Sequence, residues 1–353
     1  MQSEQLLRSV RPLSEAIGRY MVPWLELDWP IAWGPAFGRS GRLVVEIGFG
    51  NGGFLIGQAR QHPASNFVGI ERSWGSMQRI FKRLDRTALT NIRLVEGNAA
   101  FVLERLFAPD GIDQVFIHFP DPWPKERHHS RRLIQPGFVR LLAQRLAPEC
   151  EVTIATDHAD YAAWIGAVLE GQSLLRSCFP STSVHDLPGR TPTRYEQKAM
   201  AAGVPIHYFV WRRAACPCGG VAVEKVGTMP NVILKGTYDR TRLLDAFASQ
   251  TWQEVHRGVR VVVKLVEGYR NSRGGQLIEV MVKEGELTQH FGVLVLPHSD
   301  GEVLVKLSAM GRPRPTRGVK QAVWRVAQVV LDQHPRMRVV SSTVGGQMAM
   351  AGS

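Results

Sequence analysis

The chain has 353 residues, more than one small core needs and enough for about two domains. Its 44% hydrophobic and 21% charged residues are ordinary for a globular protein, but 43 Lys and Arg against 31 Asp and Glu give +12 at neutral pH and a pI near 10.0, which favours a polyanionic partner such as nucleic acid. An apolar run of the roughly 18 residues that a helical membrane span requires is absent. The four cysteines lack the spacing of a zinc site or a disulfide framework, and the N-terminal segment lacks the basic head and apolar run of a secretory leader. A cytoplasmic protein with no metal and no obligatory protein partner is therefore expected.

Residues 1–40 read as a helix followed by an irregular cover segment, punctuated by Pro23, Pro30, Gly34, Pro35 and Gly38. From Arg42 to Trp211 short apolar runs (LVVEIG, NFVGIE, IRLVEG, DQVFIHF, EVTIAT) alternate with longer amphipathic stretches (FLIGQARQ, SMQRIFKRLD, FVLERLF, FVRLLAQRL). Apolar runs without alternation predict parallel strands buried on both faces, with helices packed outside, so a doubly wound α/β domain is expected over 41–213. The pattern breaks near Cys216 and Cys218, and 214–220 reads as a linker. Beyond it a helix-like stretch from Thr241 to Val255 is followed by four apolar runs with short Gly, Asn, Ser and Asp connections, as in antiparallel hairpins. Val319, Ala322, Val323, Val326, Val329 and Val330 then mark one face of a final helix. A smaller α+β domain is expected over 221–345, with a disordered tail at 346–353.

The string LVVEIGFGNGGF places Glu46 at a strand end and then Gly48, Gly50, Gly52 and Gly53 in the turn before a helix. Glycines there let the backbone turn tightly and approach a ligand, although many nucleotide-binding folds share such a turn. The second strand ends in Glu71, where this topology sets a carboxylate beside the first turn, suited to vicinal ribose hydroxyls. The third delivers Asn98, whose amide can both donate to and accept from an adenine edge. Three polar groups at three successive strand ends point to adenosine binding.

After the fourth strand comes FPDPWPKERHHSRRL, residues 119–133. Pro120, Pro122 and Pro124 stiffen the loop and hold Asp121 beside Trp123, a pairing suited to a planar heterocycle with its ring stacked and its NH groups accepted. Lys125, Arg127, His128, His129, Arg131 and Arg132 follow as a seat for phosphates. This string closely resembles the signature of the bacterial tRNA (guanine-N7)-methyltransferase family, and the resemblance extends through EIGFGNG (46–52), GIE (69–71), ATDH (155–158) and TRYE (193–196), covering roughly residues 40–213.

The resemblance implies a Rossmann-like class I S-adenosylmethionine-dependent methyltransferase domain that modifies guanosine 46 in the variable loop of tRNA. Glu46, Gly48, Gly50, Glu71, Asn98 and Asp121 are implied in cofactor binding, with Asp121 also the catalytic group where cofactor and base meet. Lys125, Arg127, His128, Arg131, Arg132, Asp157, Thr193, Arg194, Tyr195 and Glu196 are implied in binding RNA. The chain departs from the pattern at Asn98, where many members carry Asp, at Glu126 and Ser130, where Lys is common, and at Arg194, again a frequent Lys. Asn98 keeps an acceptor for an adenine amino group, whereas Glu126 and Ser130 weaken the local positive field. Asp157 has an alternative role as the cap of a helix starting near Ala159.

The resemblance stops near residue 214. Arg257, Arg260, Arg270, Arg273, Arg312, Arg314 and Arg317 make the second domain basic in places, consistent either with an extension of the RNA-binding surface or with a structural appendage. Three alternatives are weighed for the whole chain. A nicotinamide-dependent dehydrogenase requires a hydride-transfer site, which the proline-rich motif does not supply. A non-catalytic RNA-binding module predicts erosion of Glu46, Glu71 or Asp121, and all three are present. An RNA methyltransferase with a different target base uses the same residue types.

Overall fold

The computed structural model describes residues 15–344 except 190–191, 216–228, 237–242, 245–246, 248–249, 257–258, 271–273, 286, 299–300 and 312. Cys216, Cys218, Arg257, Arg273, Arg312 and the segment 346–353 therefore lie outside the described residues. The chain divides into two compact units, Met1–Glu224 and Lys225–Ser353. Among the described residues no helix is long and apolar enough to cross a membrane.

The first unit is built on a seven-stranded sheet of order β3-β2-β1-β4-β5-β7-β6. Strands β1 (Leu43–Ile47), β2 (Asn66–Glu71), β3 (Ile92–Glu96), β4 (Ile112–His118) and β5 (Leu146–Thr156) are parallel, as their unbroken apolar runs require. All five β1 residues are buried, so both faces of that strand lie under other elements. Beyond β5 the sheet becomes mixed: β7 (His207–Arg213) inserts antiparallel between β5 and β6 (Leu175–Ser177). Helices α2 (Gly53–Gln61), α3 (Trp74–Leu84), α4 (Ala99–Leu106), α5 (Pro136–Arg145) and α6 (Ala159–Glu170) connect the parallel strands; the short α1 (Trp33–Phe37) precedes them and α7 (Arg194–Ala201) follows.

Residues 15–40 run beside the β3 edge. Met21 bridges Leu94, Val22 N–H donates to the Leu94 carbonyl, and Trp24 Nε1 donates to the Glu96 carbonyl at 3.2 Å. Trp24 and Trp29 then pack on Phe101 with ring centroids 5.7 Å apart, so this segment closes one end of the apolar core.

Among its described residues the second unit holds a seven-stranded antiparallel sheet of order β14-β8-β13-β12-β11-β10-β9, with α8 (Arg317–Leu331) packed on one face. Its strands are β8 (Asn231–Lys235), β9 (Thr251–His256), β10 (Val259–Arg270), β11 (Gln276–Glu284), β12 (Leu287–Pro297), β13 (Glu302–Leu307) and β14 (Arg338–Ser342). Alternate residues such as Val263, Ile278, Val280, Phe291, Val293 and Val305 share one core with Val319, Ala322, Val323, Val326 and Val330 of α8, so the helix face read from its spacing is the one buried. The expected helix from Thr241 to Val255 is corrected at its end, because 251–256 is strand β9. There Trp252 turns inward against the core while Thr251, Gln253 and Val255 stay exposed, and this period-two alternation pairs with β10 from His256 opposite Val259. Strands β8 and β14, missed in the sequence, are five-residue segments too short to carry a periodic signal.

The register predicts opposite outcomes for two substitutions three positions apart on β11. Ile278→Ala, in the core, lowers the unfolding free energy of the second unit by about 2–5 kcal/mol, read as a fall in its urea midpoint. Met281→Ala, 36% exposed on the other face, shifts it by less than about 0.5 kcal/mol. Comparable effects at the two sites contradict this pairing.

Candidate active site

Strand β1 has β2 on one side and β4 on the other, so the connections that leave their carboxyl ends diverge and open a crevice between them. The glycine turn lies at that point. Gly48, Gly50 and Gly52 all have positive φ, at 75°, 56° and 71°. At Gly48 and Gly50 a Cβ meets nothing within 4 Å, whereas at Gly52 it lies 2.3 Å from Ile80 Cδ1. Gly52 is thus required by packing under the turn. Gly48 and Gly50 combine left-handed backbone with open space above them, which suits close approach of a ligand.

Glu71 stands at the end of the neighbouring strand. One carboxylate oxygen accepts the Gly50 N–H at 3.1 Å, and the other accepts the Arg72 and Ser73 N–H groups at 2.9 Å. Three backbone donors fix this acid against the glycine turn, as the sequence expectation requires. Glu46 is 3% exposed and its Oε2 has no hydrogen-bond partner, while Oε1 lies 3.7 Å from Nδ1 of buried His118. A buried carboxylate oxygen without a partner, on the strand that leads into the turn, is an acceptor in want of a donor. Asn98 is the N-cap of α4, its side-chain oxygen accepting the Phe101 N–H at 3.2 Å, so its expected contact with an adenine edge shares the residue with a capping role.

The proline-rich loop leaves β4 through two strained residues. Phe119 and Trp123 have φ of 51° and 42°, conformations that cost a non-glycine residue about 1–3 kcal/mol and cluster at functional sites. Between them Asp121 is exposed. Phe119 stacks on Tyr195, with centroids 5.8 Å apart at 29°, and Tyr195 is itself 63% exposed. The two motifs, distant in sequence, thus form one aromatic wall beside Asp121. The stacking was not legible beforehand, although the aromatic in TRYE was the available signal.

The basic cluster divides in two. Lys125, Arg127 and Arg131 are exposed, with the Arg131 guanidinium 5.1 Å from the centre of the Trp123 ring and the half-buried His128 edge-on to that same ring. Arg132 is 4% exposed and faces inward, correcting its expected role as a free phosphate contact. Its Nε donates to the Pro122 carbonyl at 2.9 Å and a terminal nitrogen lies 2.9 Å from His129 Nε2. The guanidinium also rests over Tyr161 at 5.0 Å and Trp164 at 5.4 Å. Burial pushes the Tyr161 hydroxyl up to about 12, so the ring beneath Arg132 stays neutral and the attraction is cation–π.

Thr193 and Glu196 are corrected in the same sense. They form a capping box at the start of α7, and Glu196, fully buried, also accepts the Tyr208 hydroxyl at 2.8 Å. Their part is to hold Arg194 and Tyr195 outward, both of which are exposed. Asp157 is exposed after β5, and the cap of α6 is its neighbour His158, whose Nδ1 accepts the Tyr161 N–H at 3.3 Å; the capping alternative for Asp157 is thereby removed. A separate cavity of about 310 Å³, lined by Arg42, Phe54, Gln58, Phe116, Thr153 and Val210 among others, includes none of the expected cofactor residues.

A doubly wound sheet of this order, with β7 inserted antiparallel beside β5, a glycine turn after the first strand and a fixed acid after the second, is the arrangement of the Rossmann-like S-adenosylmethionine-dependent methyltransferases. Residues 40–209 match a family model described as a putative methyltransferase. A tRNA (guanine-N(7)-)-methyltransferase of Mycobacterium avium (strain 104) is 43% identical over 191 residues, 54% of this chain and 71% of its own. One of Bordetella pertussis is 37% identical over 202 residues, 57% of this chain and 78% of its own. The protein of that name from Thermotoga maritima is 32% identical over 308 residues, 86% of this chain and 94% of its own. The chain belongs to the tRNA (guanine-N7)-methyltransferase family.

The division of the basic cluster is testable by kinetics. Arg132→Lys keeps the charge but loses the planar stacking and fork, so kcat falls roughly ten- to hundredfold through misplacement of the loop while tRNA affinity and its salt dependence hold. Arg131→Ala weakens tRNA binding instead. A change in Arg132→Lys confined to tRNA affinity contradicts the bracing role.

Proposed function

We propose that this protein transfers the methyl group of S-adenosylmethionine to N7 of a guanine in tRNA, with guanosine 46 of the variable loop as its target. The observation that carries this is Asp121, exposed on a strained loop at the strand end beside the glycine turn and next to the Phe119–Tyr195 stack. The proposed substrate places the reaction in the cytoplasm.

When bound, the cofactor supplies an electrophilic methyl carbon on a sulfonium. Gly48 and Gly50 leave the backbone open to it; Glu71 would accept from its ribose hydroxyls and Glu46 from its amine. Asn98, at the next strand end, would hold the adenine edge. Guanine N7 carries an in-plane lone pair and needs no deprotonation, so the chain has no general base to provide. What it must do is align nucleophile, carbon and leaving group, which contributes about 7–11 kcal/mol in well-oriented systems. Asp121 accepts the guanine N1–H and exocyclic amine, fixing the ring and favouring the positive charge that the ring gains as the methyl arrives. Tyr195 offers a stacking face, and Lys125, Arg127, Arg131 and Arg194 meet phosphates, with Asp157 a second polar anchor from the adjacent strand.

Unmodified tRNA transcripts incubated with labelled S-adenosylmethionine test the proposal. Label is expected in 7-methylguanosine, with kcat about 10²–10³ lower in Asp121→Ala. Cofactor binding without N7 methylation of any tRNA guanine overturns it.

A further inference from the structure

The second unit buries one face of its sheet under α8 and leaves the other to solvent. The register sorts that outer face into rows. One row runs Thr251–Lys264–Met281–His290, the next Gln253–Val262–Lys283–Thr288, and Arg260 stands beyond them opposite Val255. Lys264 and Lys283 are diagonal neighbours on the same face, and Lys306 lies further along, opposite Leu294. These cations are exposed, and the two rows between strands β9 and β12 contain no carboxylate. Among the described residues, the following row carries the acids Glu267 and Glu279 as cross-strand neighbours; Glu279 is engaged by His290 at 2.7 Å and by the Tyr269 hydroxyl at 3.0 Å. Among the described residues Lys264, Lys283 and Lys306 have no acidic partner.

Like charges set diagonally on a strand pair repel, and nothing in the fold calls for them, since the core lies on the other face. Apart from Met281 and Val262, the groups between them include Thr251, Gln253 and Thr288, which donate or accept hydrogen bonds without adding charge. We infer that this face is a docking surface for the phosphate backbone of the tRNA. The inference rests on the proposed reaction for the identity of the polyanion. Two further observations favour it: the chain carries a net +12, and the alignment with the Thermotoga maritima relative, at 308 residues against the 224 of the first unit, enters the second unit as well. Binding of folded RNA by shape and phosphate placement asks for dispersed cations on a broad surface, which a sheet face supplies.

The full-length triple variant Lys264→Ala/Lys283→Ala/Lys306→Ala tests this by tRNA binding across a salt titration, with S-adenosylmethionine affinity and thermal midpoint measured alongside. Binding is expected to weaken roughly tenfold or more, and the slope of log affinity against log salt to shrink by about 2–3. The KM for tRNA rises while kcat at saturation stays at the parent value. If the triple variant folds poorly, Lys264→Gln/Lys283→Gln carries the test with the same expected direction. Parental affinity and slope overturn the surface, the more so if the substitutions dissolve a dimer, which assigns the face to a second copy of the chain. The two claims fail separately: parent protein that binds tRNA without methylating N7 contradicts the proposed reaction, whereas active parent with unaltered variants contradicts only this surface.

Discussion

The site depends on one topological constraint, the reversal of strand order at β1. With β2 and β4 on opposite sides of it, the chain must leave the sheet toward both faces, and no connection can fill the gap at the carboxyl ends. Every group assigned to chemistry is then delivered by a strand end: Glu46 from β1, Glu71 from β2, Asn98 after β3, Asp121 after β4 and Asp157 after β5. The strands themselves are fixed by unbroken burial, which makes the edge of the sheet a rigid platform. Loops can carry strain there because the sheet over-determines where they begin.

That strain explains how the proline-rich motif divides its labour. Pro120, Pro122 and Pro124 cannot donate hydrogen bonds, so the loop has few backbone means of holding itself. Arg132 compensates from the far end of the motif, donating to the Pro122 carbonyl from a seat on Tyr161 and Trp164. A charge that reads as one more phosphate ligand in sequence is, in the fold, the tie that keeps Asp121 in place. The capping box of Thr193 and Glu196 does the equivalent for Tyr195. In both motifs the buried polar residue orients an exposed neighbour, and only the neighbour is free to meet substrate.

How much of this was legible follows from the physics of each signal. Parallel strands announce themselves because burial on both faces leaves no polar position, and the α8 face because its apolar spacing is helical. The glycine turn and Glu71 could be placed because strand-end chemistry is local in sequence. Whether Arg131 or Arg132 points outward could not, since adjacent residues at the end of a short 3₁₀ segment (Glu126–Arg131) differ only in what packs beneath them. The stack of Phe119 on Tyr195 joins residues far apart in the chain, and no local pattern encodes it. Residues 251–255 fit a helical and a strand period equally well in sequence, and only pairing with β10 selects the strand.

In the proposed reaction this end of the sheet presents guanine N7, and no other atom of the base, to the methyl donor. Methylation at N7 labilises the glycosidic bond after borohydride reduction, so aniline then cuts the RNA chain at the modified nucleotide alone. End-labelled tRNA treated with the enzyme and S-adenosylmethionine is predicted to break at a single guanosine in the variable loop, and not at all with Asp121→Ala. Methyl incorporation without that scission contradicts the account, because it requires a different acceptor atom in the same site.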